Sequence, residues 1–233
     1  MTAGRARQLA LNMQLRDDAT LGSFLSAPAL EPLLAALRAQ VTPAGEPLVF
    51  IHGPGGSGKS HLLQAACHLL PAASCYLPLK ELLAMPAAEL LQGLEDQQLV
   101  CLDDIDAVAG DEGWELALFH LCNRARAAGC RLLFSAGASP RQVQVALPDL
   151  RSRLGWGPVF LLPSPDDERK QAILRYRARC RGLDMPAEVS RYLVSRAPRG
   201  LAELMALLEN LDTLSLAEQR ALTVPFVKQS LGF

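Results

Sequence analysis

The sequence predicts an α/β fold, a parallel β-sheet flanked by helices, followed by a helical C-terminal subdomain. Three observations predict it. Short apolar runs at 48–53, 74–79, 99–104, 131–137 and 158–163 alternate with stretches of helical period, the rhythm of strands buried on both faces and connected by helical crossovers. The first run leads directly into a glycine-rich loop and then a helix. After Pro163 the strand-like runs stop, and 166–182, 187–196, 201–212 and 216–231 are all helical in period.

Taken in order, residues 1–20 are polar and without periodicity, which reads as a tail and linker. LVFIHG at 48–53 is a central strand, and HLLQAACHLL, from His61, is a helix. SCYLPL and LVCLDD supply two more strands. ELALFHLCNRARAAG, 115–129, repeats apolar residues at Leu116, Phe119, Leu121 and Cys122 before Gly129 ends it, as glycine commonly ends a helix. RLLFSAG and PVFLLP complete the sheet. The expected organisation is a tail over 1–20, a core over 21–163 and a helical subdomain over 164–233.

A chain of 233 residues, half of them apolar, can bury a sizeable core. Its 23 basic and 24 acidic residues leave a net charge of -1, which advertises no broad basic surface for tight, unspecific nucleic-acid binding, so direct DNA binding is not the default expectation. Six cysteines, at 67, 75, 101, 122, 130 and 180, have no C-x-x-C spacing and lie mostly in apolar segments, as reduced core residues of a cytoplasmic protein do. Arg5 and Arg7 are followed by polar residues, without the apolar stretch of a signal peptide, and no segment has the length of a membrane span. His52, His61, His68 and His120 lack the spacing with an acidic partner that a helical metal site needs.

The chemistry is concentrated in GPGGSGKS, a complete G-x-x-x-x-G-K-S after a strand and before a helix. Gly53, Pro54, Gly55, Gly56, Ser57 and Gly58 form a loop whose backbone can wrap a polyanion closely. Lys59 supplies a point charge to the outer phosphates, and Ser60 offers a hydroxyl to magnesium. The helix continuing through His61 turns free N–H groups and a positive dipole end to the same phosphates. The ligand expected is a nucleoside di- or triphosphate, with Mg2+. LVCLDD then delivers Asp103 and Asp104 to the C-terminal edge of the sheet. Asp103 is placed to hold magnesium directly or through water, and Asp104 to orient a water.

GPGGSGKS, then LVCLDDID, then an arginine in LPDLRSRLGWG, then a helical lid resembles the AAA+ P-loop ATPases of the replication initiator DnaA group. Within that group the resemblance is to the short DnaA-homologous regulators, the Hda family, and it covers nearly the whole chain. The resemblance implies a docking peptide and a finger arginine. Gln8-Leu9-Ala10-Leu11-Asn12-Met13 is similar to the peptide by which such proteins attach to the DNA polymerase sliding clamp. Lying extended, it would hydrogen-bond through Gln8 and fill apolar pockets with Leu9, Leu11 and Met13. Arg153 matches the arginine finger that reaches the γ-phosphate held by a neighbouring subunit, and R-x-R-L-x-W-G favours it over Arg151.

The sensor positions depart from the family pattern. Ser135 is polar, but Gly137 stands where an aspartate is expected; Ala202 aligns with the sensor 2 arginine, with Arg199 the candidate substitute three residues earlier. Slow nucleotide turnover by the chain itself is the corollary; the resemblance implies that the nucleotide is ADP or ATP, with the ADP form as the working one. The partners implied are the sliding clamp, through it DNA indirectly, and DnaA; a homo-oligomer is compatible with the same reading, and no membrane is involved. No helix-turn-helix module fits after FVKQSLGF begins. Two other functions share these motifs: a helicase-loader-like AAA+ ATPase and an autonomous P-loop enzyme such as a small-molecule kinase.

Overall fold

A computed structural model describes residues 15–196 and 200–232. The clamp-type peptide Gln8, Leu9, Leu11 and Met13 and the lid residue Arg199 therefore lie outside the described residues. The chain divides into two compact units, one made of Met1–Leu21, Ser26–Pro54 and Lys59–Pro163, the other of Gly22–Leu25, Gly55–Gly58 and Ser164–Phe233.

The first unit is built on β1 (Leu48–His52), β2 (Ser74–Pro78), β3 (Leu99–Asp103), β4 (Arg131–Ala136) and β5 (Val159–Leu161). All pair in parallel, in the order β2-β3-β4-β1-β5. The order reverses at β1, which sends its chain into the glycine-rich loop; ligands of open α/β sheets bind at such a switch point. Strands β1, β3 and β4 are buried almost end to end, which is why their sequences are unbroken apolar runs. Strand β5 is shorter than its apolar run because Pro158 and Pro163 flank it, and proline cannot donate to a ladder. As an edge strand it leaves Val159 42% and Leu161 58% exposed.

Around the sheet run α1 (Glu31–Ala39), α2 (Lys59–His68), α3 (Ala87–Leu90), α4 (Glu112–Ala128) and α5 (Pro148–Leu154). Helix α4 starts three residues before the expected 115 because the Asp111 carboxylate caps it, accepting from the Trp114 N–H at 2.9 Å. It ends as expected at Gly129, whose φ of 76° is left-handed. Phe50, Phe134, Leu62, Leu118 and Leu121 are fully or almost fully buried among the elements of this unit. Five cysteines are buried and Cys180 is exposed. Burial pushes the thiols of Cys75, Cys122 and Cys130 up to about 12, so they pack as inert apolar groups.

Gly157 explains the final letter of the R-x-R-L-x-W-G pattern. A Cβ there would stand 1.7 Å from the Leu48 carbonyl oxygen, at the first residue of β1. Gly157→Ala is expected to force the backbones apart and to cost about 2–4 kcal/mol of stability, in the range of severe local clashes. A urea melt showing less than about 0.5 kcal/mol, the scale of harmless surface changes, would contradict this close approach.

The second unit contains α6 (Asp167–Cys180), α7 (Ala187–Arg196), α8 (Leu201–Glu218) and α9 (Val224–Leu231), with no strand among its described residues. Leu174, Val189, Leu193, Leu204, Leu208 and Phe226 form its core. The last two helices divide later than expected from 201–212 and 216–231. Helix α8 continues to Glu218, stops where Gln219 turns left-handed at φ 53°, and Thr223 caps α9 by accepting from the Phe226 N–H at 3.3 Å. On α6 the alternating arginines are not all solvated, since Arg177 is 5% exposed and reaches the Ser23 carbonyl at 3.4 Å. Tyr176, its neighbour, donates its hydroxyl to the Gly22 carbonyl at 2.6 Å. No helix among the described residues is long and apolar enough to cross a membrane.

Candidate functional site

The loop between β1 and α2 has the backbone that a phosphate cradle requires. Gly56 has φ 73° and Gly58 φ 105°, conformations that side chains strongly disfavour. Lys59 is 7% exposed and donates its ammonium to the carbonyls of Gly53 at 2.8 Å and Pro54 at 3.0 Å. These bonds hold the charge at the base of the loop. The Ser57 hydroxyl is buried without a hydrogen-bond partner, an arrangement that a polar ligand atom would satisfy. His61, expected at the cofactor through its place in the helix, directs its ring elsewhere: Nε2 donates to the Thr20 carbonyl at 2.9 Å. His68 does the same to Arg16 at 2.9 Å, and the Arg16 N–H reaches the Gln64 side chain at 3.0 Å, so residues 16–20 lie along α2.

Register brings the second constellation together. Leu102 pairs with Phe134 and Pro78 with Asp103, so Asp103 stands level with Ser135 on one side and with the end of β2 on the other. Asp103 is 2% exposed, and both its carboxylate oxygens accept from hydroxyls, one from Tyr76 at 2.7 Å and one from Ser135. Ser135 in turn accepts from the Asp104 N–H at 3.0 Å, which holds Asp104 in its left-handed conformation of φ 57°. Burial and then Asp103 raise the ionisation of the Tyr76 phenol, against Gln64 and Ser60, which pull it downward. Tyr76, Asp103 and Ser135 thus form one hydroxyl–carboxylate network. Its oxygen donors suit a hard cation, and each Asp103 oxygen keeps a second lone pair for a metal or its water.

Asp104 is half-buried; burial, then Asp103 and Asp106, push its carboxyl above the usual range, against the pull of Lys59 and Lys80. Burial and then Lys59 hold the His52 imidazole below its ordinary value. The Asp106 carboxylate already accepts from the Gly137 N–H at 3.0 Å, and a Cβ at 137 would stand 2.9 Å from that same oxygen.

Arg151 and Arg153, two residues apart on α5, part company. Arg151 is spent internally, bonded to the Val145 carbonyl. Arg153 donates Nε–H to Asn123 at 3.2 Å and lies over two rings, Trp156 at 4.0 Å and Phe119 at 5.5 Å from the centroids. Phe119 and Asn123 are successive residues of one α4 face, so α4 and the turn after α5 clamp the guanidinium between them.

What aligns α5 with α4 is Glu115, 2% exposed. Its carboxylate accepts from the N–H groups of Gly110, Ala146 and Leu147 at 2.7, 2.9 and 2.6 Å. Burial pushes this carboxyl upward, but the three N–H donors and Arg151 outweigh it and hold it below its ordinary value of 4.5. Its folded value lies under its unfolded one, so its stabilisation is complete above pH 4.5 and is lost as pH falls through the depressed value. Glu115→Gln is expected to cost about 2 kcal/mol at pH 7 and to flatten the acid limb of stability; an unchanged acid limb in guanidinium melts from pH 7 to 3 would contradict the assignment. Sequence reasoning missed Glu115, Tyr76, Asn123 and Trp156 as contacts; only Trp156 carried a signal, as part of R-x-R-L-x-W-G.

A parallel sheet of order β2-β3-β4-β1-β5, a cradle after β1 and a carboxylate at the end of β3 define a P-loop ATPase fold of the AAA+ class. Residues 49–128 match the family model of an RNA helicase, and residues 167–231 match that of the Hda lid domain. Among solved structures, domain III of the replication initiation protein DnaA from Thermotoga maritima is similar at TM-score 0.76 and 22% identity, over 94% of this chain and 98% of that one. DnaA from Aquifex aeolicus, bound to AMPPCP, is similar at TM-score 0.69 and 20% identity, over 84% and 66% respectively. RuvB from Thermotoga maritima, a Holliday junction branch migration motor, has a TM-score of 0.63 at 15% identity, over 92% and 71%. The chain therefore has the AAA+ fold of DnaA and RuvB, and its residues 167–231 match the Hda lid domain.

Proposed function

We propose that this protein is a nucleotide-bound negative regulator of replication initiation, acting in trans on ATP-bound DnaA. Gln8–Met13 docks on the DNA-loaded sliding clamp, and Arg153 enters the nucleotide site of a neighbouring DnaA, where it neutralises charge developing on the γ-phosphate during hydrolysis. The initiator then passes to its inactive ADP form. The observation that carries this reading is the mounting of Arg153, an arginine with no acid within ion-pair distance among the described residues, held by Asn123 and stacked on Trp156 and Phe119. A guanidinium fixed in advance spends little entropy on reaching its anion.

In its own site the chain holds ADP or ATP. The loop from Gly53 to Ser60 wraps the phosphates, Lys59 turns its ammonium to them, and Ser60 and Asp103 would hold Mg2+, which supplies charge neutralisation between phosphate oxygens. Arg199 is the candidate substitute for the sensor 2 arginine in this reading. A Ser135 already engaged by Asp103 and Asp104 favours retention of nucleotide over turnover. The core and lid boundary near Ser164 and a location in the cytoplasm belong to the same reading.

The deciding experiment follows labelled ATP preloaded on DnaA, with this protein and DNA-loaded clamp each present or omitted. Conversion to ADP only when both are added supports the regulator; no conversion with active components leaves the loader and enzyme readings in its place. Gln8→Ala is expected to lower clamp retention at least about tenfold, the scale of one lost rim hydrogen bond in a short peptide. Co-elution of Gln8→Ala with the clamp at native strength would show that the tail docks elsewhere.

A further inference from the structure

Trp156 carries a second cation. The guanidinium of Arg126, on the last turn of α4, stands 4.6 Å from the indole centroid, over the same ring that Arg153 approaches at 4.0 Å. Arg126 is exposed and Trp156 is 39% exposed, so the group is open to solvent. Other arginines nearby are neutralised or tied down. Arg124 pairs with Glu95 at 2.8 Å and donates to the Leu91 carbonyl at 2.9 Å, and Arg151 is bonded to the Val145 carbonyl. Among the described residues neither Arg126 nor Arg153 has a carboxylate within ion-pair distance.

Each guanidinium gains from the π face of the indole, yet the two charges repel one another. An anion with more than one charge that contacts both planar donor forks turns that repulsion into attraction. We propose that Arg126 is a second anion-binding arginine, and that Arg126 and Arg153, mounted together on Trp156, take the polyphosphate tail of a nucleotide presented by a partner subunit. The inference rests on the trans role given to Arg153 above and adds a residue and a platform to it. A nucleic-acid backbone fits less well, because the pair is not part of a basic stripe: the neighbouring Arg124 is spent on Glu95, and the chain's net charge is -1.

Tryptophan emission tests it directly, since the chain has two tryptophans and Trp114 is 3% exposed. In a Trp114→Phe protein saturated with ADP, inorganic tripolyphosphate at constant ionic strength is expected to change the Trp156 emission saturably. Arg126→Ala and Arg153→Ala should each weaken that binding about tenfold, the loss of one charge-assisted contact, and Arg126→Lys should restore part of it. If Trp114→Phe does not fold, the native spectrum less that of Trp156→Phe carries the same signal. No emission change, equal affinity in Arg126→Ala, or a response to a single-stranded oligonucleotide alone would overturn the proposal.

Hydrolysis of DnaA-bound ATP separates the two readings. Loss of stimulation in Arg153→Ala with none in Arg126→Ala overturns the pair and keeps the finger. Tripolyphosphate binding that needs both arginines, alongside stimulation that needs neither, keeps the anion site and removes the trans reading.

Discussion

Replacing Arg153 by alanine is expected to abolish stimulation of DnaA-bound ATP hydrolysis, by about a thousandfold or more, the scale on which a finger arginine supplied in trans acts. Folding should be nearly untouched. The guanidinium is half-buried and makes one hydrogen bond, to Asn123, besides its ring contacts, so its loss should cost at most about 1 kcal/mol of stability. Arg151→Ala should show the reverse pattern. Its side chain supports the Val145 carbonyl and faces Glu115, so the damage should fall on the melt, with stimulation reduced only as far as the folded fraction falls. Arg153→Lys is informative because lysine keeps the charge but loses the planar fork and the stacking on Trp156; it should recover little. Clamp retention is the common control and should be native in all three. Full stimulation by Arg153→Ala would remove the finger assignment, and an inverted pattern would transfer it to Arg151.

Much of this is visible in the one-dimensional pattern, for a physical reason. A central parallel strand is buried on both faces, so Leu48–His52 and Leu99–Asp103 stand out as unbroken apolar runs, and the cradle needs glycines that side chains cannot replace. Capping and left-handed residues set the boundaries that periodicity missed: Asp111 starts α4 early, and Gln219 with Thr223 moves the last helical break. The contacts around Asp103 were not legible. Tyr76 lies 27 residues before it and Ser135 32 after, and only the pairing of β2, β3 and β4 brings them level. Gly137 looked like a missing acid, yet Asp106 already fills that space from another turn. Arg126 likewise resembled any other charge of an exposed helical face until the turn after α5 placed Trp156 beneath it.

Removing both hydroxyls from Asp103 is the second large effect expected. Tyr76→Phe or Ser135→Ala alone leaves the carboxylate one strong donor and should cost about 1–3 kcal/mol. Together they would leave a carboxylate that is 2% exposed without either partner, and the double variant should lose more than the sum of the singles. The phenol is a dependable donor because burial first, and then Asp103, push its ionisation well above the usual value, so the penalty of Tyr76→Phe should be constant from pH 6 to 9. Asp103→Asn separates charge from geometry. It removes the buried charge and should restore stability to the double variant, while lowering nucleotide affinity in magnesium more than in chelator, since the amide is a poorer ligand for a hard cation than the carboxylate. Denaturant melts of the full cycle and nucleotide titrations with and without magnesium read both terms. Additive melts with unchanged nucleotide affinity would make Tyr76 and Ser135 packing residues; coupled melts with a magnesium-dependent loss would make them the supports that keep Asp103 aimed at the phosphates.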